Sequence, residues 1–197
     1  MRILVRTIVG VLLVFGALGI GLHLWANSER EQEEQALGTL RKNVLLSSRS
    51  FPPNGDMPVD CGCSGREKSP ALTWELDQAA VRSYAILATD YDVPSPSFSL
   101  LNLSHWVIYN LPASVRSLPE GVTPEQMRML GGRTGKNSKG DLIFIGPCPP
   151  VGRHAYVFRI YALNQLLDFS DLPDKKMVLE AMKGHVLGYG ELIGYFQ

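Results

Sequence analysis

The stretch Gly146-Pro147-Cys148-Pro149-Pro150-Val151-Gly152-Arg153-His154-Ala155-Tyr156-Val157-Phe158 constrains the fold more than any other. Proline fixes φ and removes a donor, so the loop is stiff. An alternating, β-branched and aromatic pattern follows at once and predicts a strand over His154–Leu163. Side chains alternate across a strand, so His154 and Tyr156 share a face. A stiff loop feeding a same-face His/Tyr pair predicts a small polar pocket on a rigid scaffold. Asp90 and Asp92 follow the apolar run Tyr84–Ala88, and His105 opens the run His105–Leu111, so both segments are candidates for its lining.

The N-terminus carries the second signal. Thr7–Ala26 contains no Asp, Glu, Lys or Arg, and about twenty such residues cross a bilayer as a helix. Arg2 and Arg6 precede the run and Glu29-Arg30-Glu31-Gln32-Glu33-Glu34 follows it. The positive flank predicts a cytoplasmic N-terminus and an extracytoplasmic domain, periplasmic in a Gram-negative host. A cleaved signal peptide is the competing reading, but the apolar run is long for one and Leu24-Trp25-Ala26 is a poor cleavage site. No cysteine follows the run directly, which argues against a lipoprotein. The expected plan is an anchor over 1–27, a charged linker over 28–43 that extends the helix or stays solvated, and a domain over 44–197. His23 reads as an interfacial residue.

The domain reads as mainly β. Runs Tyr84–Ala88, His105–Leu111, Leu142–Ile145, His154–Leu163 and Glu191–Phe196 predict strands, divided by Pro/Gly/Ser clusters such as Val93-Pro94-Ser95-Pro96-Ser97. One short helix is expected late. Asp174 caps it, Met177, Val178, Ala181 and Met182 form its apolar stripe, and Gly184 stops it. Many short strands with one late helix suggest an antiparallel β-sandwich. With 19 basic and 19 acidic residues, the chain lacks the net positive charge of a nucleic-acid binder.

Imidazole and phenol donors suit a small anion such as phosphate, and an aspartate beside a histidine fixes the imidazole tautomer. The bland alternative is that Asp90 and Asp92 cap turns and the histidines merely end strands. Gly131-Gly132-Arg133-Thr134-Gly135-Lys136 is not a phosphate-binding P-loop: it is one residue short, Asn137 stands in place of Ser/Thr, and no helical pattern follows. It reads as a surface loop near the pocket. A metal held by Asp90, His105 and His154 is chemically allowed, but no ligand spacing supports it. Gly-x-Ser-x-Gly is absent, and Cys148 between prolines reads as packed or oxidised rather than catalytic.

Taken in order, these segments resemble the phosphatidylethanolamine-binding protein family, in its bacterial and archaeal Raf-kinase-inhibitor-like branch. The family's Asp-Pro-Asp-Ala-Pro loop reads here as Asp90-Tyr91-Asp92-Val93-Pro94, and its His-Trp strand start as His105-Trp106. Its Gly-Pro-Cys-Pro-Pro and His-Arg-Tyr read as Gly146–Pro150 and His154-Ala155-Tyr156, and its Ser-Pro-Pro-Leu-x-Trp as Ser69–Trp74. The resemblance covers roughly Val44 to Gln197. Tyr91 in place of proline is expected to loosen the loop, and Ala155 in place of arginine to remove a charge near the pocket.

The resemblance implies a β-sandwich of that family's type, with Asp90, Asp92, His105, Pro149, His154 and Tyr156 binding a small phosphorylated ligand or phospholipid headgroup, and no cofactor. Cys63 and Cys148 stand where bacterial relatives often carry cysteines, which makes a disulfide between them one possibility, with Cys61 left over. The expected role is regulatory or inhibitory binding rather than catalysis, with a protease as a candidate protein target. The rivals are a hydrolase using His105 or His154 with Asp90 or Asp92 as acid/base, and a serine-protease inhibitor acting through surface loops.

Overall fold

The computed structural model describes residues 2–76 and 80–197. The core is built on two sheets. The strands are β1 (Leu45–Ser47), β2 (Gly55–Asp56), β3 (Leu72–Glu75), β4 (Ser83–Ser95), β5 (Phe98–Pro112), β6 (Ser117–Leu118), β7 (Arg133–Thr134), β8 (His154–Leu163) and β9 (Val186–Phe196). The large sheet has the order β2-β9-β8-β4-β5-β7, and the small one β1-β3-β6. Helices α1 (Arg2–Gly38), α2 (Pro124–Met129) and α3 (Lys175–Ala181), with a 3-10 turn over Val59–Cys61, complete the described elements.

The period-2 pattern of β8 divides its neighbours into two layers. Tyr156, Phe158, Ile160 and Ala162 pack into the core between the sheets, with Trp74, Trp106 and Phe144. Tyr161 and Leu163 face the other way, onto a layer formed by Leu37 of α1 and Val178 of α3, with Met182 just beyond α3. β9 meets the small-sheet side across glycines: a Cβ on Gly190 would stand 2.2 Å from the Val44 carbonyl oxygen, and one on Gly194 2.6 Å from the Phe51 ring. Only glycine permits so close an approach.

Two expectations need correction, and one pair of alternatives is decided. The sheets are not purely antiparallel: β2 pairs parallel to β9, filling a ladder edge that would otherwise lie unpaired. Leu142–Ile145 is not a strand but irregular chain. Of the two readings of the charged segment, helix extension holds over residues 28–38: α1 continues through them and its last turns pack on the domain. The late helix stands as read, with the Asp174 side chain accepting from Met177 N. The additional helix α2 has the sequence signature of a capping box, Thr123 and Gln126 around Pro124.

Candidate functional site

β4 and β8 place Asp90 directly opposite Tyr156. His154 starts β8, two residues earlier on the same face, and its ring lies nearly parallel to that of Tyr156 with centroids 6.5 Å apart. His154 Nδ1 lies 2.8 Å from Asp90 Oδ2, and its Nε2 lies 3.2 Å from the Val151 carbonyl oxygen. Both ring nitrogens are therefore spent on internal acceptors. Asp90 Oδ1 accepts from Asp92 N, and Asp92 Oδ2 from Ala155 N at 2.9 Å. Asp92 thus holds the start of β8 against β4.

His105 arrives by a different route. Ala88 pairs with Trp106 but Thr89 pairs with Ser104, so His105 is the extra residue of a β-bulge. A bulge re-aims a side chain. Here it sets the His105 ring edge-on to Tyr156, with centroids 5.1 Å apart. His105 Nδ1 lies 2.8 Å from the Ile145 carbonyl oxygen, and Ile145 N donates back to His105 O. Burial holds the His105 pKa below its ordinary value, opposed by the bond to Ile145. The neutral ring donates from Nδ1 and keeps its lone pair on Nε2.

Among the described residues, two buried polar atoms here have no partner in full hydrogen-bond geometry, His105 Nε2 and the Tyr156 hydroxyl, although the Asp90 carboxylate and the Cys148 backbone stand close enough to Tyr156 to act on its phenol. Burial raises the phenol pKa, and the neighbouring Asp90 raises it further. Tyr156 therefore remains a neutral hydroxyl able to donate. The site is sealed rather than open-mouthed: Asp90 is 2% exposed, His105 3%, His154 0% and Tyr156 1%.

The lid is the loop read first from the sequence. A Cys63–Cys148 disulfide ties it to the 59–66 turn, with Cα atoms 5.4 Å apart, and Cys63 N donates to Pro147 O. Pro149 is half-buried beside that bridge. Cys148 is thus oxidised, and the remaining thiol, Cys61, is buried with its pKa pushed up to about 11. Cys148 has no thiol to attack with, and the Cys61 thiol is shifted away from the lowered pKa of a nucleophile. Sequence reading missed Asn137 and Ile145. Buried Asn137 donates to Ile143 O and accepts from Lys139 N and Asp141 N, folding the loop that presents Ile145 to His105. The Asn-Ser-Lys-Gly turn was its only signal. The 131–136 segment contains the edge strand β7, not a phosphate loop.

Tyr91 does not loosen its segment. It donates to Glu33 Oε2 of α1 at 2.6 Å and accepts from Arg159 Nη1 at 2.9 Å. Lys175 Nζ lies 2.6 Å from Glu33 Oε1. This buried cluster fastens α1 to the domain.

Residues 47–197 match the family model described as phosphatidylethanolamine-binding protein. A UPF0098 protein of Methanothermobacter thermautotrophicus is 40% identical over 153 residues, which is 77% of this chain and 97% of that one. A UPF0098 protein of Pyrococcus abyssi is 30% identical over 194 residues, covering 94% of this chain and 96% of its own, so that match extends into the N-terminal segment. Among solved structures, a putative phosphatidylethanolamine-binding protein homologue from Chlamydia trachomatis superposes with a TM-score of 0.71 at 30% identity, over 79% of this chain and 98% of its own. YbcL of Escherichia coli shares the fold, with a TM-score of 0.69 at 23% identity and the same coverage. The match over residues 47–197 and the relatives that share it show that the chain belongs to the phosphatidylethanolamine-binding protein family.

Proposed function

We propose that this chain is a membrane-anchored binding module, not an enzyme, that takes a small phosphate-bearing group and acts by regulating or inhibiting a partner when loaded. The observation that carries this reading is the pair of orphaned buried atoms, His105 Nε2 and the Tyr156 hydroxyl. Natural proteins satisfy buried polar groups, and each exception calls for an explanation. One lone pair beside one O–H suits a ligand that donates once and accepts once.

A singly protonated phosphate monoester does both. Its P–OH donates to His105 Nε2 and another oxygen accepts from Tyr156. The ammonium of an ethanolamine headgroup can replace the P–OH. The carboxylate of Asp90 beside Tyr156 disfavours a dianion. Two such bonds, each worth roughly 1.5–3 kcal/mol when charge-assisted, sum to about 3–6 kcal/mol, so the affinity expected after the cost of association is millimolar.

Binding rather than turnover is supported by the same geometry. His154 has both nitrogens engaged, and His105 has Nδ1 engaged. Anchoring is supported by the apolar window of α1, with mean hydropathy 2.2 and no part of it buried. The Cys63–Cys148 bridge suits an oxidising compartment. Calorimetric titration of the detergent-purified chain with phosphoethanolamine tests the ligand. Saturable heat without product supports it, and no heat up to tens of millimolar, or release of phosphate or ethanolamine, refutes it.

A further inference from the structure

Helix α1 begins to touch the domain before its apolar run ends. Phe98, at the start of β5, reaches to 3.9 Å from where a Cβ on Gly19 would stand, and its ring stacks on His23 with centroids 4.7 Å apart. His23 Nδ1 lies 2.7 Å from Ser99 O, and Asn102 Nδ2 donates to the Ala26 carbonyl at 2.9 Å. Further along, Glu33 and Leu37 continue the same contact stripe. The four-and-three spacing of Gly19, His23, Ala26, Glu33 and Leu37 is one helix face.

The lengths then decide where the bilayer lies. From Arg6 to Leu18, the residue before the Gly19 contact with Phe98, the helix rises about 18 Å at 1.5 Å per residue. A hydrocarbon core is about 30 Å thick. Even with Arg6 snorkelling and the count begun at Arg2, the rise is only about 24 Å. The missing ~12 Å from Arg6 corresponds to about eight more residues, ending at Ala26, where the apolar run also ends. The residues that hold the β4–β5 hairpin therefore lie inside the span.

Resting on the anchor reading above, we infer that the tip of the β4–β5 hairpin, carrying exposed Phe98 and Leu101, is seated in the bilayer leaflet on the domain's side. Both side chains are large, apolar and exposed, which a leaflet accommodates and water does not favour. His23 Nδ1 and Asn102 Nδ2 are paired across that contact, and His23 Nε2 is bonded by Asn27 of the same helix, the kind of internal satisfaction that immersion at this depth favours. The tip also touches the lid of the site: Pro96 lies 3.6 Å from where a Cβ on Gly152 would stand. Val151, next to it, is exposed and gives its carbonyl to His154. The lid is thereby held at the level of the headgroups, and the phosphate-bearing group it admits comes from that same leaflet.

Photo-crosslinking in the full chain separates the claims. Benzoylphenylalanine is placed singly at Phe98, Leu101, Val14 and Leu166, and the chain is reconstituted in phosphatidylethanolamine/phosphatidylglycerol vesicles. Mass spectrometry then counts lipid adducts. Val14 lies mid-span, and exposed Leu166 adjoins Leu167, which is bonded to Asn110 at the end of β5 opposite the hairpin tip. Adducts at 14, 98 and 101 are expected, with those at 98 at least tenfold above those at 166. Adducts at 14 alone overturn the seating and leave the anchor standing. No adduct at 14 overturns the anchor reading itself, and the seating with it.

Discussion

His154 and Asp90 form a buried pair whose atoms stand 2.8 Å apart, the histidine 0% and the aspartate 2% exposed. Removing the histidine does not free a donor for ligand. It strands a carboxylate in a closed site. His154→Ala should therefore destabilise the chain by about 3–5 kcal/mol, the cost of breaking a buried pair. The Asp90→Asn/His154→Ala double variant should recover part of that loss. Chemical denaturation of the four chains gives the cycle, and additive losses would contradict the coupling.

Phe158 lies two residues beyond Tyr156 on the same face and is fully buried beside Phe144 and Phe51. Phe158→Ala should cost about 3–5 kcal/mol through lost contact and a residual cavity. A loss under 1 kcal/mol in a thermal or urea melt would show that the core collapses there.

Stability should depend on His105 at mildly acid pH. Burial lowers its folded pKa, so below the unfolded value of about 6.5 the unfolded chain binds the extra proton. Stability is whole above that pH, falls by up to about 1.4 kcal/mol per pH unit as pH drops towards the folded pKa, and levels off below it. Urea midpoints between pH 7.5 and 4.5 measure the slope. His105→Asn should flatten its part of it, and an unchanged slope in that variant would refute the assignment.

The part of this site legible in the sequence is the part carried by strand period and rigid punctuation. His154 and Tyr156 share a face because β8 is regular, and Pro149 marks a loop the disulfide then fixes. His105 was placed correctly near them, but its orientation comes from a bulge that no periodicity announces. The pairing of Asp90 and His154 consumes groups that composition alone presents as free donors. The charges of residues 28–38 left helix extension and solvation both open, because what decides between them lies far off in sequence: Glu33 points inward to Tyr91, 58 positions away, and to Lys175, farther still. The parallel β2–β9 edge involves only two residues, too few to leave a pattern.

Glu33→Gln tests that clamp. Burial lowers the Lys175 pKa, and Glu33 opposes the effect, so the amide leaves a buried ammonium without its counter-charge. A loss of about 3 kcal/mol is expected, at the low end for a buried pair because Glu33 is partly exposed. A melt unchanged within error would mean that the Glu33 clamp contributes nothing to the stability of the domain.

Reducing the chain, or Cys63→Ser with Cys148→Ser, should cost about 2–4 kcal/mol, because the bridge closes a long loop across 85 positions. It should also weaken ligand binding by unfastening the lid. Full binding in the double variant would detach the disulfide from the site.

The most direct measurement is the ring-nitrogen NMR signal of His105 in the full chain during titration with phosphoethanolamine. A saturable shift at Nε2, with Nδ1 still bonded to Ile145 and the effect weakened at least tenfold in Tyr156→Phe, is the predicted result. No shift up to tens of millimolar, or the same shift in Tyr156→Phe, would contradict the proposal that these two orphaned atoms receive the phosphate-bearing group.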